Sequence, residues 1–152
     1  ISMKKLILSS ALLCAITTAK AQWTYKNVDN GIDEPYKICY TEADNYARLK
    51  LEKYNEGVMF YISGTYFCEE FPKADVVFTV SGVTKKYQVV GARSEDSKIV
   101  FLAFDISEES FLEDFKQASS VKVRVNETYC TTDVFTFNMA NSKSALEFML
   151  KP

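Results

Sequence analysis

The chain has 152 residues, 47% hydrophobic and 14% aromatic, with 18 lysines and arginines against 20 aspartates and glutamates and no histidine. The missing histidine excludes Ser-His-Asp, Cys-His and His-zinc chemistry. A net charge of −2 with no basic run excludes the electrostatic footprint of a nucleic-acid binder and disfavours docking on an anionic membrane.

The first stretch reads as an export leader. Met3 is the natural initiator, with Ile1 and Ser2 a remnant before it, and Lys4 and Lys5 precede the apolar run from Leu6 to Ile16. Ala19-Lys20-Ala21 offers the small residues a signal peptidase reads, so cleavage is expected after Ala21. The apolar run is broken by Ser9, Ser10, Thr17 and Thr18 and falls short of the roughly 20 residues a membrane span needs. Cys14 follows Leu13 rather than the small residue of a lipoprotein signal and reads as filler. The expectation is a signal peptide over residues 1–21 and a single β-rich domain over 22–152. That domain is periplasmic or secreted and has no integral membrane segment after processing. Processing removes three basic residues and no acidic ones, which leaves a net charge of −5.

In chain order, Trp23 to Val28 alternates large apolar and polar residues as a half-buried strand does, and ends at the turn Asp29-Asn30-Gly31. Tyr36 to Thr41 is a second strand, with Tyr36, Ile38 and Tyr40 on one face and Lys37, Cys39 and Thr41 on the other. Tyr46 to Lys53 places Ala47, Leu49 and Leu51 inward, and Tyr54 to Gly57 turns the chain. Val58 to Ile62 is apolar on both faces and belongs mid-sheet. Ser63-Gly64 bends the chain before a further strand at Thr65 to Cys68. Val76 to Val80 and Thr84 to Val90 form a hairpin across Ser81-Gly82, and Lys98 to Asp105 is another apolar strand.

An interior helix follows. Ser107 caps it, Glu108 and Glu109 suit its positive end, Ile106 staples onto Phe111, and Phe111, Leu112, Phe115 and Ala118 form its buried stripe. Val121, Val123 and Val125 mark one more strand and Val134 to Phe137 the last. Asn141 or Ser142 then caps a closing helix carrying Ala145, Leu146 and Met149. Without βαβ alternation, this order predicts a mainly β fold: an antiparallel β-sandwich or open barrel with two short helices, one interior and one C-terminal, covering an open end or edge.

Three cysteines survive processing, and export permits a disulfide. Cys68 with Cys130 is the preferred pair because each sits at a strand edge beside turn-like sequence, although Cys39 can replace either. Asp29, Asn30, Asp33 and Glu34 place oxygen ligands around a glycine turn and could hold calcium; the competing reading is a solvated loop. Ser119 and Lys122 match S-x-x-K without the K-T-G its enzymes need. The pairs Glu69/Glu70 and Glu108/Glu109 suit solvation and the helix dipole better than glycoside hydrolysis. Asn126-Glu127-Thr128 is a glycosylation sequon without meaning behind a bacterial-type leader. Nine tyrosines in a small exported domain could furnish a face for a protein or sugar partner.

Phe135-Thr136-Phe137 followed by Ser144-Ala145-Leu146-Glu147-Phe148 resembles the closing strand and helix of small exported bacterial β-sandwich proteins of the invasion-associated locus B type. That resemblance implies a non-enzymatic envelope protein. The functional expectation is therefore an exported, non-enzymatic binding module of the cell envelope whose partner is an envelope protein or a glycan. The alternatives are a carboxylate- or Ser-Lys-dependent envelope hydrolase, and a structural subunit of a surface assembly or virion bridged through Cys39.

Overall fold

Alternating apolar residues become nine strands and two helices in a computed structural model that describes residues 22–54, 57–103 and 109–152. In chain order the elements are β1 (Thr24–Val28), β2 (Tyr36–Glu42), β3 (Arg48–Tyr54), β4 (Gly57–Ser63), β5 (Lys73–Val80), β6 (Val83–Arg93), β7 (Ile99–Ala103), α1 (Glu109–Gln117), β8 (Ser120–Asn126), β9 (Asp133–Asn138) and α2 (Ser142–Leu150). The leader, the turn residues Asn55 and Glu56, Phe104, Asp105, and the helix-start features Ile106, Ser107 and Glu108 lie outside the described residues.

The strands form one antiparallel sheet in the order β1-β2-β3-β4-β7-β6-β5-β8-β9. Its edge strands β1 and β9 pair with no further strand among the described residues, so the sheet is open rather than a closed barrel. It curls nonetheless. Trp23, just ahead of β1, donates from Nε1 to Ala140 O beyond β9 at 3.1 Å, and inward residues of both halves join one core.

Both helices pack against the inner face, α2 on β2 and β3 and α1 on β5, and they touch each other. The helices, expected over an open end or edge, pack on the inner face of the sheet. Phe115 of α1 sits among Trp23, Phe60 and Phe78 with ring centroids 6.1, 5.5 and 6.2 Å away. Phe111 meets Phe60, Phe78 and Tyr87 at 5.2–5.6 Å. These tilted and edge-on contacts match the ring quadrupoles and add to area burial. The Ser142 hydroxyl donates to Phe115 O at 2.6 Å and fastens the start of α2 to α1. Asn141 occupies the N-cap at φ 66° without a side-chain cap, and so sets the entry bend rather than capping the helix.

Local chemistry explains the connections. Ser81 and Gly82 both take positive φ, 49° and 77°, the two-residue turn whose twist matches a hairpin. Gly64 has φ +95° and its Cα approaches the β2–β3 loop so closely that a Cβ would lie 2.8 Å from Tyr46 O, which only glycine accommodates. Thr65–Cys68, expected as a strand, is instead a loop. Its backbone is satisfied from outside a ladder, by Phe67 N to Ser97 O and by Cys68 N to a glutamate carboxylate.

On the outer face of the second half, Asp75 of β5 lies directly opposite Arg124 of β8 and is only 3% exposed. Arg124 donates to Asp75 Oδ2 from both Nε, at 3.0 Å, and Nη2, with Asn126 and Lys86 beside them. The Arg124 bond, ahead of the other contacts, holds the Asp75 carboxyl well below the usual carboxylate range. A depressed folded-state value means that the stabilisation is complete above the unfolded carboxylate value near pH 4 and fades as the pH falls below it. Asp75→Asn should lose about 1.5–3 kcal/mol at pH 7, with the gap from wild type narrowing from about pH 4 downward. Urea unfolding at pH 7 and pH 2.5 reads this directly, and a gap independent of pH would contradict it.

Candidate functional site

The outer face of β1 to β4 carries an aromatic and cationic row. In β2, Cys39 and Thr41 turn to the core while Tyr36, Ile38 and Tyr40 look outward, half-buried. Register places Tyr40 opposite Lys50 of β3, and Lys50 opposite Tyr61 of β4. Tyr40 lies between two cations, with Lys26 Nζ at 5.7 Å and Arg48 Cζ at 4.9 Å from its ring centroid, while Lys50 Nζ lies 5.4 Å from the Tyr61 ring. Each is within cation–π reach.

Two carboxylates set the geometry of this row. Glu42 holds Arg48 Nε at 2.7 Å, and Glu52 accepts the Tyr61 hydroxyl at 2.6 Å. Tyr61 is buried yet stands outside the main core cluster, and burial, followed by the Glu52 bond, pushes its hydroxyl up. Burial and then the neighbouring Arg48 push the Lys50 ammonium down. The result is a row of three cations and two carboxylates in which Lys26 and Arg48 flank the half-buried Tyr40 ring.

The described tyrosine side chains do not share one surface. Tyr87 packs against Phe78 and Phe111 and donates to Asp114 Oδ2. Tyr25 sits edge-on to Phe148, while Tyr46, Tyr66 and Tyr129 are exposed on loops.

A second constellation joins two loops at the Lys73 end of β5, where it pairs with the Asn126 end of β8. Cys68 and Cys130 are disulfide-bonded, with Cα atoms 6.3 Å apart. Beside them Glu127, 7% exposed, accepts Cys68 N at 2.6 Å and Glu69 N at 2.9 Å on Oε1. Glu69 returns the contact by accepting Thr128 N, which lowers its own carboxyl. Arg93 spans the same loop from Nη1 to the carbonyls of Phe67 and Cys68. Burial, then the Glu127 charge, raises the Asp133 carboxyl. Glu127 escaped the sequence reading because it stood inside a meaningless sequon; only its place three residues before Cys130 hints at its role.

The other candidates fall as follows. Asp29 Oδ1 accepts Gly31 N, and Asn30 Oδ1 accepts both Ile32 N and Asp33 N at 2.9 Å. Asn30 Nδ2 also donates to Asp33 Oδ2 at 2.8 Å, so these oxygens close the turn on itself. Asn30, Asp33 and Glu34 line an open groove of about 660 Å³ that Lys37 and Lys53 also line, and both ammonium groups reach the Lys151 carbonyl at the end of α2. Ser119 donates to Thr79 O at 3.1 Å, and Lys122 is exposed within β8. Cys39 is fully buried under α2, its sulfur 3.8 Å from Ala145 O, and burial pushes the thiol up to about 12. A bridge from it to another chain would require α2 to leave the sheet. No helix among the described residues is long and apolar enough to cross a membrane.

The molecule is thus a mainly β, sandwich-like protein built on one open antiparallel sheet with two inner helices. The crystal structure of invasion associated protein B from Bartonella henselae has a similar fold, with a TM-score of 0.58 at 10% identity, covering 86% of this chain and 93% of that one. The likeness is one of fold, and it extends well beyond the closing strand and helix that first suggested it. No protein-family model and no curated protein sequence matches the chain.

Proposed function

We propose that residues 22–152 form an exported, non-enzymatic binding module, released by cleavage after Ala21, that engages an envelope protein through the Tyr40 face. The observation that carries this reading is the ring of Tyr40 held between Lys26 and Arg48, with Lys50 over Tyr61 in the adjoining position. Cations around an accessible ring suit a partner that presents carboxylates among apolar groups, since charge steers the encounter and the half-buried Tyr40 ring supplies contact area. The resemblance in fold to an invasion-associated protein supports an envelope setting.

Tyr40→Ala and Arg48→Glu, each affinity-tagged in its own envelope, should recover the partner about tenfold less well than wild type, in line with the loss of an interface anchor of about 1.4 kcal/mol or more. Recovery should also fall with added salt. An unchanged set of partners in both variants would reject this face, and a glycan recovered in place of a protein would reject the partner class.

A further inference from the structure

Beside the disulfide clasp lies a third group able to ligate a metal, the Glu127 carboxylate. We propose that, once reduced, Cys68, Cys130 and Glu127 bind one zinc-type divalent ion, so that the clasp closes either as a disulfide or as a metal-bridged dithiolate. The sulfur atoms of the two cysteines and a carboxylate oxygen of Glu127 lie within 4.8 Å of one another. Tetrahedral zinc with bonds of about 2.3 Å to sulfur and 2.0 Å to oxygen sets its ligand atoms about 3.5–3.8 Å apart. The sulfur atoms, about 2 Å apart while bonded, would part by about 1.7 Å through side-chain rotation to reach that spacing, while the Cα atoms keep their 6.3 Å separation.

Glu127 is suited to the task. Its Oε1 is fixed by the amides of Cys68 and Glu69, and among the described residues no hydrogen bond falls on Oε2. Such anchoring orients a ligand ahead of metal binding. A cavity of about 330 Å³ lined by Glu69, Phe71, Lys73, Asn126, Glu127 and Thr128, but by neither cysteine, opens beside Glu127 and gives an ion an approach to its carboxylate. Two thiolates select a softer ion over calcium or magnesium.

The chemistry balances in two steps. A dithiol donor gives two electrons and two protons to the Cys68–Cys130 bond and leaves as its own disulfide; two thiols result. The ion then displaces both thiol protons to solvent and takes the two thiolates and the Glu127 carboxylate, which leaves one net negative charge on the site.

The test uses the full chain, reduced with a phosphine, and cobalt(II) as the probe. The expected result is one equivalent of cobalt bound with a thiolate-to-metal charge-transfer band, displaced by zinc, and no band in the oxidised protein. Glu127→Gln, with its circular dichroism unchanged, should bind at least about tenfold more weakly. Three outcomes would overturn the proposal: no band in the reduced chain, whether it stays folded or not; a band that persists in the Cys68→Ser/Cys130→Ser variant, which leaves Cys39 as the only described thiol; or equal affinity in Glu127→Gln.

Discussion

Replacing Phe115 by alanine is expected to destabilise the fold by about 3–5 kcal/mol, because it removes a fully buried ring and leaves a cavity that its neighbours cannot fill. Phe115 is 1% exposed and joins Trp23 before β1, Phe60 in β4 and Phe78 in β5, so its loss loosens both halves of the sheet together. The urea midpoint should fall while the slope holds, and the thermal midpoint should drop by roughly 10 °C. Phe71, 64% exposed, is the comparison: Phe71→Ala should shift stability by no more than about 0.5 kcal/mol. Similar losses in the two variants would show that the aromatic cluster is not the core.

Opening the clasp should be nearly as costly. Cys68 and Cys130 are 62 residues apart in sequence, and in the chain-entropy picture a loop of that size is worth about 4 kcal/mol. Cys68→Ser with Cys130→Ser should therefore unfold at clearly lower urea than wild type, whereas phosphine should shift wild type but not the double variant. The carboxylate contacts of Glu127 and Glu69 remain after the sulfur bond is gone, so the loops keep part of their fastening. A double variant as stable as wild type would mean that these contacts alone set the loops.

Much of the fold was legible because burial follows period. Val121, Val123 and Val125 are buried while Lys122 and Arg124 are exposed, and Leu49 and Leu51 face the core as their alternation demands. The doubly apolar run in β4 also spoke truly: Phe60 and Ile62 fill the core while Tyr61 is buried on the opposite face. In β2, by contrast, alternation separated two faces without ranking them. The core took Cys39 and Thr41, leaving the tyrosines outward where cations could stack on them. Thr65–Cys68 has strand-forming residues but no strand to pair with, since β4 is already hydrogen-bonded on both sides, by β3 and β7. The Tyr40 row depends on register across four strands, and the seat of Glu127 on amides 58 and 59 residues away being brought to it; neither relation is local enough for a pattern along the chain to reveal.

The order of the strands also sets how the chain must assemble. β1 to β4 and β5 to β7 each grow by successive hairpins, but Phe60 must find Leu102 to join them, and Lys73 must find Asn126 to seat β8. Those closures cost loop entropy before any contact repays it, which places folding on the slower side of the range, in milliseconds to seconds. Until β7 reaches β4, each ribbon presents a bare edge of unpaired amides and carbonyls. The newly made chain is most open to mispairing in that interval, and a partner that shielded the β4 edge would do so by occupying the place that β7 later takes.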